Sequence, residues 1–183
     1  HGYVMGNTPP SSDTIERFAF ASDGDATDVD NLSVARGAGC GCSSATHGYM
    51  CAGISSGAYT NIIDKHAFAA GGTSVDVGDL LTTSTNGAGC SSSTYGYQVG
   101  GYTPSAYTNV IQKLSWSSDG NTSDVADLLA VLGRQDNSSS TTYGYAAGGR
   151  NGNPVNTIQK FPFATDSNST NVGDLLAATK EGC

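Results

Sequence analysis

The chain has 183 residues, of which 25 are Gly, 8 are Lys or Arg and 16 are Asp or Glu, so its formal net charge is −8. A surface with so few basic groups repels phosphate, and we therefore expect neither nucleic acid nor anionic lipid as a partner. No stretch approaches the roughly 18 apolar residues of a membrane span, so we expect no membrane insertion.

The first motif along the chain recurs at nearly constant intervals. Its four copies begin 46, 48 and 48 residues apart and are His1-Gly2-Tyr3, His47-Gly48-Tyr49, Tyr95-Gly96-Tyr97 and Tyr143-Gly144-Tyr145. Regular self-similarity of this kind indicates a repeat architecture. We predict one repeat domain over 1–183, with units 1–46, 47–94, 95–142 and 143–183. Because the sequence opens on the motif, without an initiator Met or a signal sequence, we also expect a processed chain or a part of a longer one.

Each unit continues with the same order of elements. Small or apolar residues ending in glycines follow the motif, as in Val99-Gly100-Gly101, and a polar stretch of variable sequence comes next. An apolar and aromatic run with a period of two then begins, for example Ile111 to Trp116. A period of two predicts a β-strand.

A further element starts with a valine nine residues after the last aromatic residue of that run, in every unit. Turn-forming residues such as Gly71-Gly72 and Asp119-Gly120-Asn121 lie in between. The stretch from Val125 to Leu132 has the apolar content of a helix, with Asp124 as a candidate N-cap. We favour a strand, because the equivalent residues of the first two units are β-branched and poor helix formers.

Two residue columns run through the units and are expected to form the core between neighbouring sheets, since one short sheet cannot bury both of its faces. The aromatic column is Phe20, Phe68, Trp116 and Phe163, and the leucine column is Leu32, Leu80, Leu128 and Leu175.

The unit resembles a kelch-type blade: a Tyr-containing strand ending in Gly-Gly, a variable loop, a strand with an aromatic residue and a shorter element. Gly-Gly is intact at Gly100-Gly101 and Gly148-Gly149, and the Val and Leu of the last element stand where the family has a tryptophan. The resemblance implies an all-β, β-propeller fold of four kelch-like repeats of about 47 residues. They form either a closed four-bladed ring or part of a larger or open array.

The Gly/Ser/Thr-rich, weakly charged form of the repeat also resembles repeat proteins of marine phages and other aquatic viruses. That resemblance implies a tail or fibre component, located outside the cell or on the virion surface.

Sites for chemistry are sparse. No fixed spacing selects a Ser/His/Asp set, so we predict that the chain is not an enzyme and needs no cofactor. The Asp-rich turns containing Asp23 and Asp25, and Asp119 and Asp124, are weak calcium candidates. Because the second unit offers few carboxylates at the matching turn, we interpret these residues as turn formers and predict no metal site.

Five cysteines leave at least one without a partner inside the chain, and Cys183 is our candidate for an intermolecular disulfide. We expect Cys40, Cys90 and Cys183 to occupy one repeat column. We also expect the closely spaced Cys40 and Cys42 to direct their thiols to opposite faces of a strand.

The variable segments 7–12, 54–60, 102–108 and 150–155 are expected to carry recognition, because loops on a fixed scaffold commonly do so. Our candidate contacts are Tyr59, Tyr102, Tyr107 and Arg150, since aromatic faces stack on sugars and Arg binds polar groups in a fork. The first hypothesis is a non-catalytic module that binds a surface glycan or a protein. The alternative is a structural subunit of a viral or extracellular fibre or virion shell that self-assembles and has no ligand of its own.

Overall fold

A computed structural model describes residues 1–69 and 73–179, and within these residues the chain is all-β. Its 15 strands form four antiparallel sheets, and strands adjacent in sequence are adjacent in their sheet. Sheet 1 contains β1 (Gly2–Asn7), β2 (Ser12–Phe18) and β3 (Thr27–Asn31). Sheet 2 contains β4 (Cys40–Ser43), β5 (His47–Ser55), β6 (Ala58–Ala67) and β7 (Val75–Ser84). Sheet 3 contains β8 (Ala88–Ser91), β9 (Tyr95–Val99), β10 (Val110–Ser115) and β11 (Ser123–Asp127). Sheet 4 contains β12 (Asp136–Ser139), β13 (Tyr143–Ala147), β14 (Val155–Pro162) and β15 (Thr170–Thr179).

The sheets are offset from the sequence units. The first strand of sheets 2, 3 and 4 is the end of the preceding unit. A tight hairpin joins it to the strand that carries the aromatic motif, by which we mean the His/Tyr-Gly-Tyr sequence that opens each unit. In the first such hairpin the Ser44 hydroxyl accepts hydrogen bonds from the backbone N–H groups of Thr46 and His47. Ser92 and Ser140 do the same in the next two hairpins. The Ser/Thr-rich stretch before each motif is therefore a side-chain-stabilised turn.

The element that begins with the valine is a strand in each unit, as predicted, and forms β3, β7, β11 and β15. In the third unit the strand ends at Asp127, so the apolar residues that follow are not part of it. The turn before β11 places Asp119 at φ +52° and Gly120 at φ +93°, backbone conformations that Asp and Gly tolerate better than other residues.

The core lies between successive sheets, and the leucine column is buried there as predicted for the first three units. Leu32, Leu80 and Leu128 are 2–3% exposed, and each packs in a cluster with residues of the following sheet. Leu175 is only half-buried, because no described sheet follows sheet 4.

The prediction that the aromatic column forms part of the core is partly wrong. Its members in sheets 2 to 4, Phe68, Trp116 and Phe163, are half-buried against the sheet before them. Phe20 is 75% exposed, because no described sheet precedes sheet 1.

The central glycine of the aromatic motif leaves room for a ring. In sheet 4, Gly144 pairs with Phe161 of the neighbouring strand, and a Cβ on Gly144 would overlap the Phe161 ring. A side chain at this position would therefore displace a residue that is 2% exposed.

The first strands of sheets 2, 3 and 4 lie side by side, since β4 contacts β8 and β8 contacts β12. In the described residues sheet 1 has no strand equivalent to them, and no strand of sheet 1 makes an extensive contact with sheet 4. The described chain is thus a row of four antiparallel sheets with one uncovered face at each end.

A buried ion pair lies between sheets 1 and 2. Arg36 Nη1 donates to Asp64 Oδ2 at 2.7 Å, with side chains 0% and 1% exposed. The guanidinium also donates to the backbone oxygens of Ala52 at 2.9 Å and Met50 at 3.1 Å. Arg36 therefore holds the loop before β4 to the middle of β5.

Candidate functional site

In sheets 2, 3 and 4, the loops that join the second strand, which carries the motif, to the third strand lie near one another. Ile54, Tyr102 and Arg150 occupy equivalent positions, and each forms an antiparallel bridge with the segment that leads into its sheet, at Gly37, Thr85 and Gly133 respectively. Because the same bridge recurs in three sheets, the loops after it emerge on one side of the array.

Three of the predicted contact residues form a tyrosine patch, which we define as Tyr59, Tyr102 and Tyr107. The Tyr59 and Tyr102 ring centroids are 6.3 Å apart, and those of Tyr102 and Tyr107 are 4.9 Å apart, both pairs in edge-to-face geometry. All three side chains are half-buried. Edge-to-face packing fixes the rings while leaving part of each accessible to a ligand.

The fourth predicted residue, Arg150, adjoins the patch through one glycine. The Tyr107 ring lies so close to Gly133 that a Cβ there would be 2.9 Å from it, and Gly133 and Arg150 exchange both backbone hydrogen bonds. One guanidinium nitrogen, Nη2, donates to the oxygen of Gly152, and Nε is buried without a hydrogen-bond partner. The residues selected from the sequence are thus neighbours in space, and their role in binding remains a prediction.

The loop that carries Tyr102 and Tyr107 is internally braced. Tyr102 and Tyr107 bridge across it, and the Thr103 backbone N–H donates to the Ala106 oxygen at 2.8 Å. The Thr103 hydroxyl accepts from the N–H of Ala106 at 3.2 Å. A braced loop loses little conformational freedom when a ligand binds.

A second feature was not predicted from the sequence: a cluster of three thiols from Cys40, Cys42 and Cys51. Cys40 and Cys42 lie two residues apart on β4, and both hydrogen-bond to Cys51 on β5. The prediction that they face opposite sides was wrong, since residues i and i+2 of a strand share a face. Counting outward from the hairpin at Ser44 and His47 would have placed Cys40 opposite Cys51.

The repeat column assigned to the cysteines was also wrong. Cys90 pairs with Tyr97, as Cys42 pairs with Tyr49 and Ser138 with Tyr145, so Cys90 is equivalent to Cys42. Counting from the repeat leucine agrees with this register, because Cys42, Cys90 and Ser138 each follow their leucine by ten residues, whereas Cys40 follows Leu32 by eight. Cys183 lies outside the described residues.

The thiols differ in acidity. Hydrogen bonds from Cys40 and Cys42 hold the pKa of Cys51 well below its usual range, and the nearby Arg36 guanidinium lowers it further. The hydrogen bond to Cys51 and then burial raise the pKa of both other thiols. Cys51 is 2% exposed, which shields it from bulky reagents.

A cavity of about 440 Å³ lies between sheets 1 and 2, beside this cluster. Its lining includes Tyr3 and Phe68 together with Cys40 and Cys42. The cavity adjoins β1 of sheet 1 and β4 of sheet 2. Among the described residues, sheet 1 has no fourth strand beside β1 that would correspond to β4.

The calcium candidates do not converge. Asp119 Oδ2 is 2.7 Å from Lys65 Nζ, while Asp23, Asp25 and Asp124 are exposed. Within residues 1–69 and 73–179, no three His, Cys, Asp or Glu side chains are placed to hold a metal ion. The same residues contain no helix with the length and hydropathy of a membrane span.

Comparison with known proteins adds no assignment. No protein-family model matches the chain, and a search of curated proteins finds no significant similarity.

Proposed function

We propose that this chain is a non-catalytic, kelch-like recognition module of the propeller type, which acts outside the cell or on a virion surface and binds a glycan or a protein through the tyrosine patch. The observation that carries the proposal is the convergence of Tyr59, Tyr102 and Tyr107 from two sheets. Aromatic residues held on a rigid scaffold supply contact area at low entropic cost.

A glycan ligand agrees best with the chemistry of the patch. The rings offer apolar faces for the C–H side of a sugar, and their hydroxyls together with Arg150 offer polar partners for its oxygens. A protein ligand would use the same rings as anchors. A glycan array and a protein pull-down distinguish the two classes of ligand.

The test is a glycan-array screen together with a pull-down from host-cell surfaces, using the wild-type chain and two variants. Tyr102→Ala removes the central ring and should weaken binding at least about tenfold, as expected for an anchor residue. Tyr143→Ala is the matched control, because Tyr143 lies at the start of β13 and contacts Lys160 rather than the patch. Absence of binding in both screens, or equal loss in both variants, would reject the proposal.

The second candidate function is a structural subunit of a fibre or virion shell that self-assembles. It is supported by the uncovered apolar faces at both ends of the row of sheets, where Val4, Phe20 and Val172 are 52%, 75% and 46% exposed. Apolar groups left uncovered on a repeat array favour association.

A further inference from the structure

The three interfaces between successive sheets share one ring contact. The tyrosine that ends the aromatic motif stacks on the aromatic residue of the next sheet, with centroids 4.7–4.9 Å apart. The three pairs are Tyr3 with Phe68, Tyr49 with Trp116 and Tyr97 with Phe163. We call the face of a sheet that is directed toward the next sheet in sequence its forward face, and the opposite face its backward face. Each sheet therefore presents a tyrosine on its forward face and an aromatic ring on its backward face.

The polar contacts across these interfaces repeat as well. A backbone N–H of the later sheet donates to a backbone oxygen of the earlier one at 2.8–2.9 Å. The three bonds run from Ser74 to Asn31, from Thr122 to Asp79 and from Ser169 to Asp127. At the second and third interfaces a lysine adds an ion pair at 2.7 Å, Lys65 with Asp119 and Lys113 with Asp166.

The two ends of the row expose the halves of one more such interface. On the backward face of sheet 1, Phe18 is 39% exposed, whereas its equivalents His66, Leu114 and Phe161 are 2–3% exposed. Phe20, beside it, has no tyrosine to stack on among the described residues. On the forward face of sheet 4, Tyr145 lacks an aromatic partner within the described chain, and Leu175 is less buried than the other leucines of its column.

The charges at the two ends are complementary. Lys160 holds the position of Lys65 and Lys113, and in the described residues it lies over the Tyr143 ring without a carboxylate in ion-pair range. Asp23 follows Phe20 by three residues, just as Asp119 follows Trp116, and it is exposed. The missing partner of Lys160 is thus present at the opposite end of the same chain.

We propose that the backward face of sheet 1 in one copy of this chain binds the forward face of sheet 4 in a second copy. The contact stacks Phe20 on Tyr145 and pairs Asp23 with Lys160, in the geometry of the three internal interfaces. This inference deepens the structural role offered as the second candidate function and rests on it. Because the two surfaces differ, the contact is heterologous and leads either to a closed ring or to a fibre.

The decisive experiment uses two variants that each block one end. Phe20→Asp places a charge on the face of sheet 1, and Val172→Asp does so on the face of sheet 4, at side chains that are 75% and 46% exposed in the described chain. Sedimentation velocity is measured from low micromolar to near-millimolar concentration, in reducing buffer to prevent disulfide-linked species. Circular dichroism of each variant confirms that it is folded.

We expect the wild-type chain to associate with increasing concentration and each variant alone to stay monomeric. An equimolar mixture of the two variants should form a complex of two chains and nothing larger, because one interface can still form between the two intact ends. Leu81→Asp, at an exposed position on sheet 2, is the matched control and should associate like the wild type. A second pair, Asp23→Lys and Lys160→Asp, should each weaken association about two- to fivefold and recover it when mixed.

A monomeric wild-type chain over the whole range, or variants that associate like the wild type, would overturn the inference. So would a mixture that stays monomeric while the wild type associates. Glycan or protein binding by the monomeric variants is measured in parallel. The tyrosine patch lies on neither end face, so failure of association and failure of ligand binding are read separately.

Discussion

Replacing Arg36 tests the ion pair between sheets 1 and 2. In Arg36→Leu the Asp64 carboxylate loses its 2.7 Å partner while remaining 1% exposed, and the oxygens of Ala52 and Met50 lose a donor. Removing one member of a buried pair costs about 3–5 kcal/mol, because the other charge stays buried and uncompensated. For a chain of this length that corresponds to a fall in Tm of about 6–20 °C.

The third interface offers the matched rescue. There Leu132 holds the position of Arg36 and Gln159 that of Asp64. Gln159 Oε1 accepts from the Leu129 N–H at 2.8 Å, as Asp64 Oδ2 accepts from a backbone N–H at 3.0 Å. The double variant Arg36→Leu/Asp64→Gln should therefore recover most of the lost stability, to within about 1–2 kcal/mol of the wild type.

The assay is urea unfolding followed by circular dichroism, for the wild type, both single variants and the double variant. The free energies of unfolding of the four proteins are compared as a double-mutant cycle, with the slope of the free energy against urea concentration held equal for all of them. An Arg36→Leu variant that loses less than about 1 kcal/mol would refute the assignment of a buried, mutually dependent pair. A double variant as unstable as Arg36→Leu would show that packing of the guanidinium, rather than charge, sets the cost.

Three further outcomes are expected. Burial raises the pKa of Tyr97 to about 12 from the ordinary tyrosine value of 10.0, so the folded state favours the neutral phenol. The contribution of Tyr97 to the free energy of unfolding is then constant below about pH 10 and is lost between about pH 10 and 12, so in urea titrations Tyr97→Phe should remove that part of the alkaline fall. Gly144→Ala should lower the free energy of unfolding by about 1–3 kcal/mol, because the added Cβ overlaps an aromatic ring. Gly41→Ala is the control: its added Cβ would have its nearest contact at 3.8 Å, so the free energy of unfolding should change by no more than about 0.5 kcal/mol. Exchanging calcium for a chelator should leave Tm unchanged in calorimetry, and a calcium-dependent rise that Asp119→Ala with Asp124→Ala abolishes would contradict the assignment of these residues as turn formers.

The all-β class, the strands and the leucine core could be predicted because they rest on local pattern. The alternation from Ile111 to Trp116 and the β-branched residues near Val125 have the same meaning in any sheet. The strands that open sheets 2 to 4 could not be found in this way. β12, for example, is Asp136–Ser139, entirely polar, and is held by hairpin pairing with β13 rather than by an apolar face.

The candidate site was selected from loop variation and residue type, and its three tyrosines lie together because two repeat columns meet there. Tyr102 lies in the column of Ile54, and Tyr59 and Tyr107 share another. The thiol cluster was missed because it depends on the register of one hairpin. The exposure of Phe20 was missed because burial of a repeat residue is decided by the neighbouring sheet and not by its own sequence.

The offset between the sequence units and the sheets affects how the gene for such an array can change. Each of the first three units ends in a strand that belongs to the next sheet, so the described repeats keep the same strand order from any starting point within the repeat. A duplication or deletion of one repeat length, wherever its breakpoints fall in register, would add or remove the strands of one whole sheet and leave all others complete. Unequal recombination would thus alter the length of the protein without creating a defective junction.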